Sequence, residues 1–124
     1  MKEKHKMSAN KITTAQESTQ KWLDLIDSSK YIDSWSKAAV YFQNNISKKE
    51  WDKTLQGLRQ PLGKTVSRQL ASSHSETSLP GAPDGEYVVT QYNTSFDNKQ
   101  SAIETVTSML DRDGSWKVAG YFIN

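Results

Sequence analysis

The chain contains no cysteine. That excludes disulfides, thiolate metal sites and cysteine nucleophiles. Histidine is nearly as scarce, with only His5 and His74. One falls in the polar N-terminal stretch and the other in a serine-rich segment, and neither belongs to a metal-ligand spacing. Both read as solvated side chains, so no metal is expected. The serines include no Gly-x-Ser-x-Gly elbow, and a Ser-His-Asp arrangement has no well-placed histidine to draw on. A glycine-rich phosphate loop is missing too, because Gly81 and Gly85 are separated by proline and aspartate and no helix follows them. No cofactor is expected. No apolar run reaches the ~18 residues of a spanning helix. Charge of one sign is lacking as well: sixteen basic residues face fourteen acidic ones, for a net +2. Lys2, Lys4, Lys6 and Lys11 hold most of the excess, and no basic stripe remains to suggest nucleic acid.

What is present organises itself around Leu79 to Tyr87, which holds two of the three prolines and two of the six glycines. Residues before it read as helices, and residues after it read as strands. Residues 1–13 are polar and read as a tail, leaving 14–124 as one domain, above the size at which a single core becomes marginal. Thr14 and Glu17 fit a capping box for a first helix from Thr14 to Ser28, with Ala15, Trp22 and Ile26 on its apolar side. Ile32, Trp35, Ala39, Phe42 and Ile46 recur at steps of three and four, predicting a second helix from Tyr31 to Asn45. Ser47 and Glu50 form another capping box before Trp51, Leu55 and Leu58, and Pro61 ends this third helix near Arg59.

The apolar period then shortens to two. Lys64 to Leu70 reads as a strand, Ser72 to Ser78 as a polar loop, Glu86 to Phe96 and Ser101 to Leu110 as strands, and Trp116 to Ile123 as the last strand. Asp97-Asn98-Lys99 is a turn, and Asp113-Gly114 is a strong hairpin signal. Pro80-Gly81 suits a type II turn, and Pro83-Asp84-Gly85 a second turn. A block of helices before a block of strands argues α+β: three helices packed on one face of a four-stranded antiparallel meander.

Two charges stand on strand faces that should be apolar. Arg68 shares its face with Val66 and Leu70, and Glu104 with Ala102, Val106 and Leu110. Buried charges need partners, because desolvation otherwise costs several kcal/mol. Arg68 and Glu104 can pair with each other, or with Arg59 or Asp84. The pair is either a structural ion pair or the polar floor of a pocket. The strand aromatics divide between the faces, Tyr87 opposite to Tyr92 and Tyr121 opposite to Phe122.

Several runs together resemble one bacterial family, domain of unknown function 4019. They are Trp22-Leu23-x-Leu-Ile-Asp, Tyr31-x-x-Ser34-Trp35-x-x-Ala38-Ala39-x-x-Phe42, Trp51, Arg59-x-Pro61-Leu62-Gly63, Ser67-Arg68, Leu79 to Val89, Phe96, Glu104-Thr-Val106, and Asp113-Gly-x-Trp-x-Val-Ala-Gly-Tyr-Phe-Ile123. The resemblance spans Ala15 to Ile123 and brings no assigned activity. It implies export, to the periplasm or out of the cell, behind a leader ahead of the first helix. Met1 to Lys11 has the basic character of a leader's start but no apolar segment after it, so the cytoplasm is the alternative. The helices-then-meander order is similar to the cystatin-like or nuclear-transport-factor-two-like cone, a fold-level analogy that does not specify function.

The expected role is a non-enzymatic domain binding a small molecule or a protein partner between the third helix and the sheet. Trp35, Trp51, Arg59, Arg68, Tyr87 and Glu104 are the candidate contributors. One alternative is a structural or dimerisation module acting as a homodimer through its open sheet face. Another is an enzyme with Glu104 as general base and Arg68 as electrostatic stabiliser.

Overall fold

The computed structural model describes the backbone of residues 2–124 and the side chains of residues 10–124. The α-helices are α1 (Lys2–Asp27), α2 (Tyr31–Ser36), α3 (Val40–Asn45) and α4 (Lys48–Leu58). A 3-10 turn over Gln60–Leu62 leads into four strands, β1 (Thr65–Glu76), β2 (Tyr87–Phe96), β3 (Lys99–Leu110) and β4 (Trp116–Ile123). They pair antiparallel in the order β1-β2-β3-β4, so the fold is α+β with a four-stranded meander. Among the described residues no helix is long and apolar enough to cross a membrane.

There are four α-helices where the sequence pattern predicts three. The expected second helix breaks at Lys37 to Ala39 because tertiary partners capture its backbone. The Ala39 N–H donates to the Val118 carbonyl of β4 at 2.8 Å, and the Val40 N–H donates to Asp111 Oδ2 at 3.1 Å. Ala39 is extended, and the buried Asp111 carboxylate serves as the cap that α3 lacks in its own sequence.

Helix α1 begins at Lys2, so Thr14 is an interior residue whose hydroxyl donates to the Asn10 carbonyl. Of the 1–13 tail, Met1 and the side chains of residues 2–9 lie outside the described residues. Lys11 is ion-paired with Glu86, and Ile12 packs beside Ala15, Val88 and Trp116. The helix ends in a Schellman motif: the Lys30 N–H donates to the Leu25 carbonyl and the Ser29 N–H to that of Ile26. Ser29 takes the left-handed position, with φ of 61°. The Ser47 cap stands as expected, its Oγ accepting from the Glu50 N–H.

Strand β1 runs through the serine-rich segment read as a loop. Register shifts at Val66 and Ala71 reset it, and Ser73 Oγ then lies 2.9 Å from Thr90 Oγ1. The segment reads as polar because this half of β1 is largely exposed. The Leu79–Ala82 turn closes with a 3.2 Å hydrogen bond and places Gly81 at φ of +77°, the geometry of a type II turn.

The core lies between the helices and the inner sheet face. Trp22, Phe42, Trp51 and Tyr121 form its aromatic centre, with ring centroids 4.8 to 6.2 Å apart. Ser34 is its polar hinge. Its carbonyl accepts from the Trp22 indole at 2.8 Å and its hydroxyl from the Trp51 indole at 2.9 Å.

Candidate functional site

Arg68 and Glu104 meet, as one of the pairings open to them from sequence. Arg68 stands opposite Thr94, and Thr94 opposite Ala102, next to Glu104 along the inner face. Arg68 Nε donates to Glu104 Oε1 at 2.7 Å and Nη2 to Oε2 at 3.2 Å. Glu104 Oε1 also accepts from the Thr94 hydroxyl at 2.6 Å, and Oε2 from the Tyr121 hydroxyl. The carboxylate is fully buried. Its four acceptor positions are all filled, leaving no lone pair for a substrate proton.

The third member is Asp27, at the end of α1. Its Oδ2 accepts from Arg68 Nη1 at 2.8 Å, and its Oδ1 from Nη2 at 3.0 Å. Oδ1 also accepts from Thr65 Oγ1 at 2.9 Å and from Arg59 Nη2 at 3.4 Å. Arg59 comes from the end of α4 and lies over Phe96, 4.5 Å from the ring centroid. Its Nη1 donates to the Gly63 carbonyl at 2.5 Å, and its buried Nε has no acceptor among the described residues. Two carboxylates thus face two guanidiniums, and the cluster is neutral within itself.

Burial pushes the Asp27 carboxyl up, but the hydrogen bonds and charge of Arg68, helped by Thr65 and Arg59, leave its pKa lowered. Burial also opposes the Arg68 charge, and Asp27 and Glu104 outweigh it, raising the pKa of a group that is already cationic. Tyr121 is held protonated by burial, by the Glu104 charge and by the hydrogen bond it donates there.

The six sequence candidates do not form one site. Arg59, Arg68 and Glu104 converge through Asp27. Trp51 belongs to the adjoining aromatic core, and its ring and Tyr121 border a small cavity of about 100 Å³. Trp35 packs at the margin of the same core, its indole donating to the Ile46 carbonyl at 2.8 Å beneath Lys48. Tyr87 is at the other end of the sheet, buried under the Leu79–Glu86 loop with its hydroxyl donating to the Pro83 carbonyl. Asp27 was missed because it reads as an ordinary helix residue. The available signal was its position, since a carboxylate in the last turn opposes the helix dipole.

A larger recess lies elsewhere, between α1 and the start of β4. It has a volume of about 420 Å³ and is lined by Ser18, Lys21, Trp22, Leu25, Lys37, Ser115, Trp116, Lys117 and Val118. Trp22, Trp116 and Val118 are buried and Leu25 half-buried, which makes the floor apolar. Lys117 is fixed at the rim by Asp113 at 3.2 Å and Asp111 at 3.8 Å. The Ser115 hydroxyl and amide, with Lys117, hold the Asp113 carboxyl at about 2. Lys21 and Lys37 are exposed, and neither has an ion-pair partner among the described residues.

The sequence profile of a family described as a protein of unknown function (DUF4019) matches residues 18–121. The chain belongs to that family. The matched span of this DUF4019 chain includes Asp27, Arg59, Arg68, Glu104 and Tyr121, and all nine residues of the α1–β4 groove. No curated protein matches the chain at a significant level.

Proposed function

We propose that the chain is a non-enzymatic binding module whose ligand is a small amphipathic anion held in the groove between α1 and β4. The observation that carries this reading is the groove's composition, an apolar floor under a rim with three lysines. Its volume of about 420 Å³ falls within the ~300–1,000 Å³ of small-molecule sites. An acyl or aryl body would cover Trp22, Leu25, Trp116 and Val118, and an anionic head would meet Lys21 and Lys37. Arg68 and Glu104 support the role indirectly, because they are engaged with each other and anchor the scaffold. The helices-then-meander order supports grouping the fold with the cystatin-like and nuclear-transport-factor-two-like cones. Export from a bacterial cell belongs to this reading on the family resemblance, and cell fractionation of the full-length protein checks it.

The test is titration of the chain with decanoate, below its micelle concentration, followed by tryptophan fluorescence and calorimetry. Saturable binding is expected, weakened about tenfold or more in a Lys21→Glu/Lys37→Glu variant, in line with a charged contact of ~1.5–3 kcal/mol. Decanol, which lacks the anionic head, is expected to bind more weakly than decanoate. Absence of saturation, or equal affinity in the double variant, overturns the reading.

A further inference from the structure

The sheet face away from the helices carries a different kind of surface. Strand register places three rows across it: Gln69, Asn93, Ile103 and Asn124; Ser72, Gln91, Thr105 and Phe122; His74, Val89, Thr107 and Gly120. His74, at one corner, is the sole ionisable side chain in these rows. Yet the chain carries thirty Lys, Arg, Asp and Glu residues in 124. In β1 to β4 those charges go inward, as Arg68 and Glu104 do, or to strand ends, as Glu76, Lys99 and Lys117 do.

Among the described residues no helix covers these rows, and the Leu79–Glu86 loop packs on the Tyr87 end of the face. Phe122 is 53% exposed and Ile103 41%. Around them the polar groups already form cross-strand contacts: the Gln91 amide donates to Thr105 Oγ1 at 3.2 Å and Ser72 Oγ to Gln91 Oε1 at 3.5 Å. Surface charge keeps proteins soluble and monomeric, and within these three rows only His74 can carry any, the next charges on this face being Glu76 and Lys117 at its Tyr87 end.

We infer that this face docks against the same face of a second copy of the chain, forming a two-fold homodimer with the two sheets packed together. Size supports that occupant. Strands about 4.8 Å apart and rows about 7 Å apart give a footprint of roughly 500 Å² per copy with side chains included. Doubled, that is about 1,000 Å², the size of the smaller specific interfaces. Charge supports it as well. A strongly acidic or basic partner finds no counter-charge here, whereas self-apposition sets no like charges against each other. Gln, Asn, Ser and Thr both donate and accept, so a face rich in them is complementary to itself under two-fold symmetry. The interface is on the opposite side of the sheet from the α1–β4 groove, so it holds whether or not that groove binds an anion.

Sedimentation equilibrium on the full chain over a range of concentrations tests the assignment. A monomer–dimer equilibrium is expected. Ile103→Glu is expected to weaken it roughly 100-fold by putting a charge into the apposed faces, with the circular dichroism spectrum of the folded chain unchanged because Ile103 is 41% exposed. Ile103→Lys is expected to do the same, and mixing the two variants to restore association. Leu70→Glu, outside the three rows, is expected to leave association intact. A monomer at every concentration, a dimer indifferent to Ile103→Glu, or one broken instead by Leu70→Glu overturns the assignment.

Discussion

Arg68 and Glu104 show how far one residue's surroundings can be inferred. A single charge among apolar residues at every second position, in each of two strands, marks both as facing inward with the apolar set, and leaves mutual pairing as one option beside Arg59 or Asp84. Val66 and Leu70 did not follow, being 64% and 54% exposed. The register shift at Val66 takes it out of the alternation, and Leu70 stands opposite Tyr92 but on an edge strand that is largely exposed along its length. Asp27 and Tyr121 were not legible as partners. An aromatic ring in a strand reads as core whether or not its hydroxyl has a task. Removing one member of a buried ion pair strands the other, at about 3–5 kcal/mol, whereas removing both is milder. Arg68→Met and Glu104→Leu are each expected to destabilise by that amount in urea denaturation. The double variant should fall short of their sum by about 1–3 kcal/mol. Strict additivity would mean the two residues act separately.

The elements differ in how far their own residues determine them. The bounds of β4 follow from its sequence alone, because a strong turn precedes a clean apolar run. The break between α2 and α3 does not, because its causes, Val118 and Asp111, are more than seventy residues away. Two backbone positions show the same dependence. Gly63 has φ of +78°, and an added Cβ would lie 2.9 Å from the Asp97 Cβ. Gly63→Ala is expected to lower stability by about 1–3 kcal/mol, through strain and through displacement of the carbonyl that receives Arg59. Ser29 occupies a left-handed position that glycine fills without steric penalty. Ser29→Gly is expected to raise stability by about 0.5–1 kcal/mol. Urea midpoints moving in opposite directions for the two variants check both.

At the scale of the whole molecule, the cluster ties α1, the end of α4 and all four strands into one unit, so its ionisation bears on acid stability. The folded-state pKa of Asp27 is lowered below the unfolded value of about 3.9. Its contribution is therefore complete above that value and lost as pH falls through the folded one. Melting temperature is expected to drop below about pH 4, and Asp27→Asn to be less stable at neutral pH with a shallower acid decline. An Asp27→Asn profile parallel to the parent's would remove Asp27 from that role. The groove illustrates what sequence patterns hide at this scale. Lys21, Lys37 and Lys117 come from three segments, and each alone is an ordinary surface lysine.

The Ala39–Val118 hydrogen bond reaches beyond the helix it interrupts. It occupies a carbonyl on the outer margin of β4, with α3 standing beside it. The opposite margin, along β1, carries irregularities at Val66 and Ala71 that spoil the spacing of its amides and carbonyls. Stray chains polymerise on straight, unoccupied strand edges. Here one edge is interrupted at Val118 and the other is uneven, so a fifth strand finds no unbroken ladder to extend.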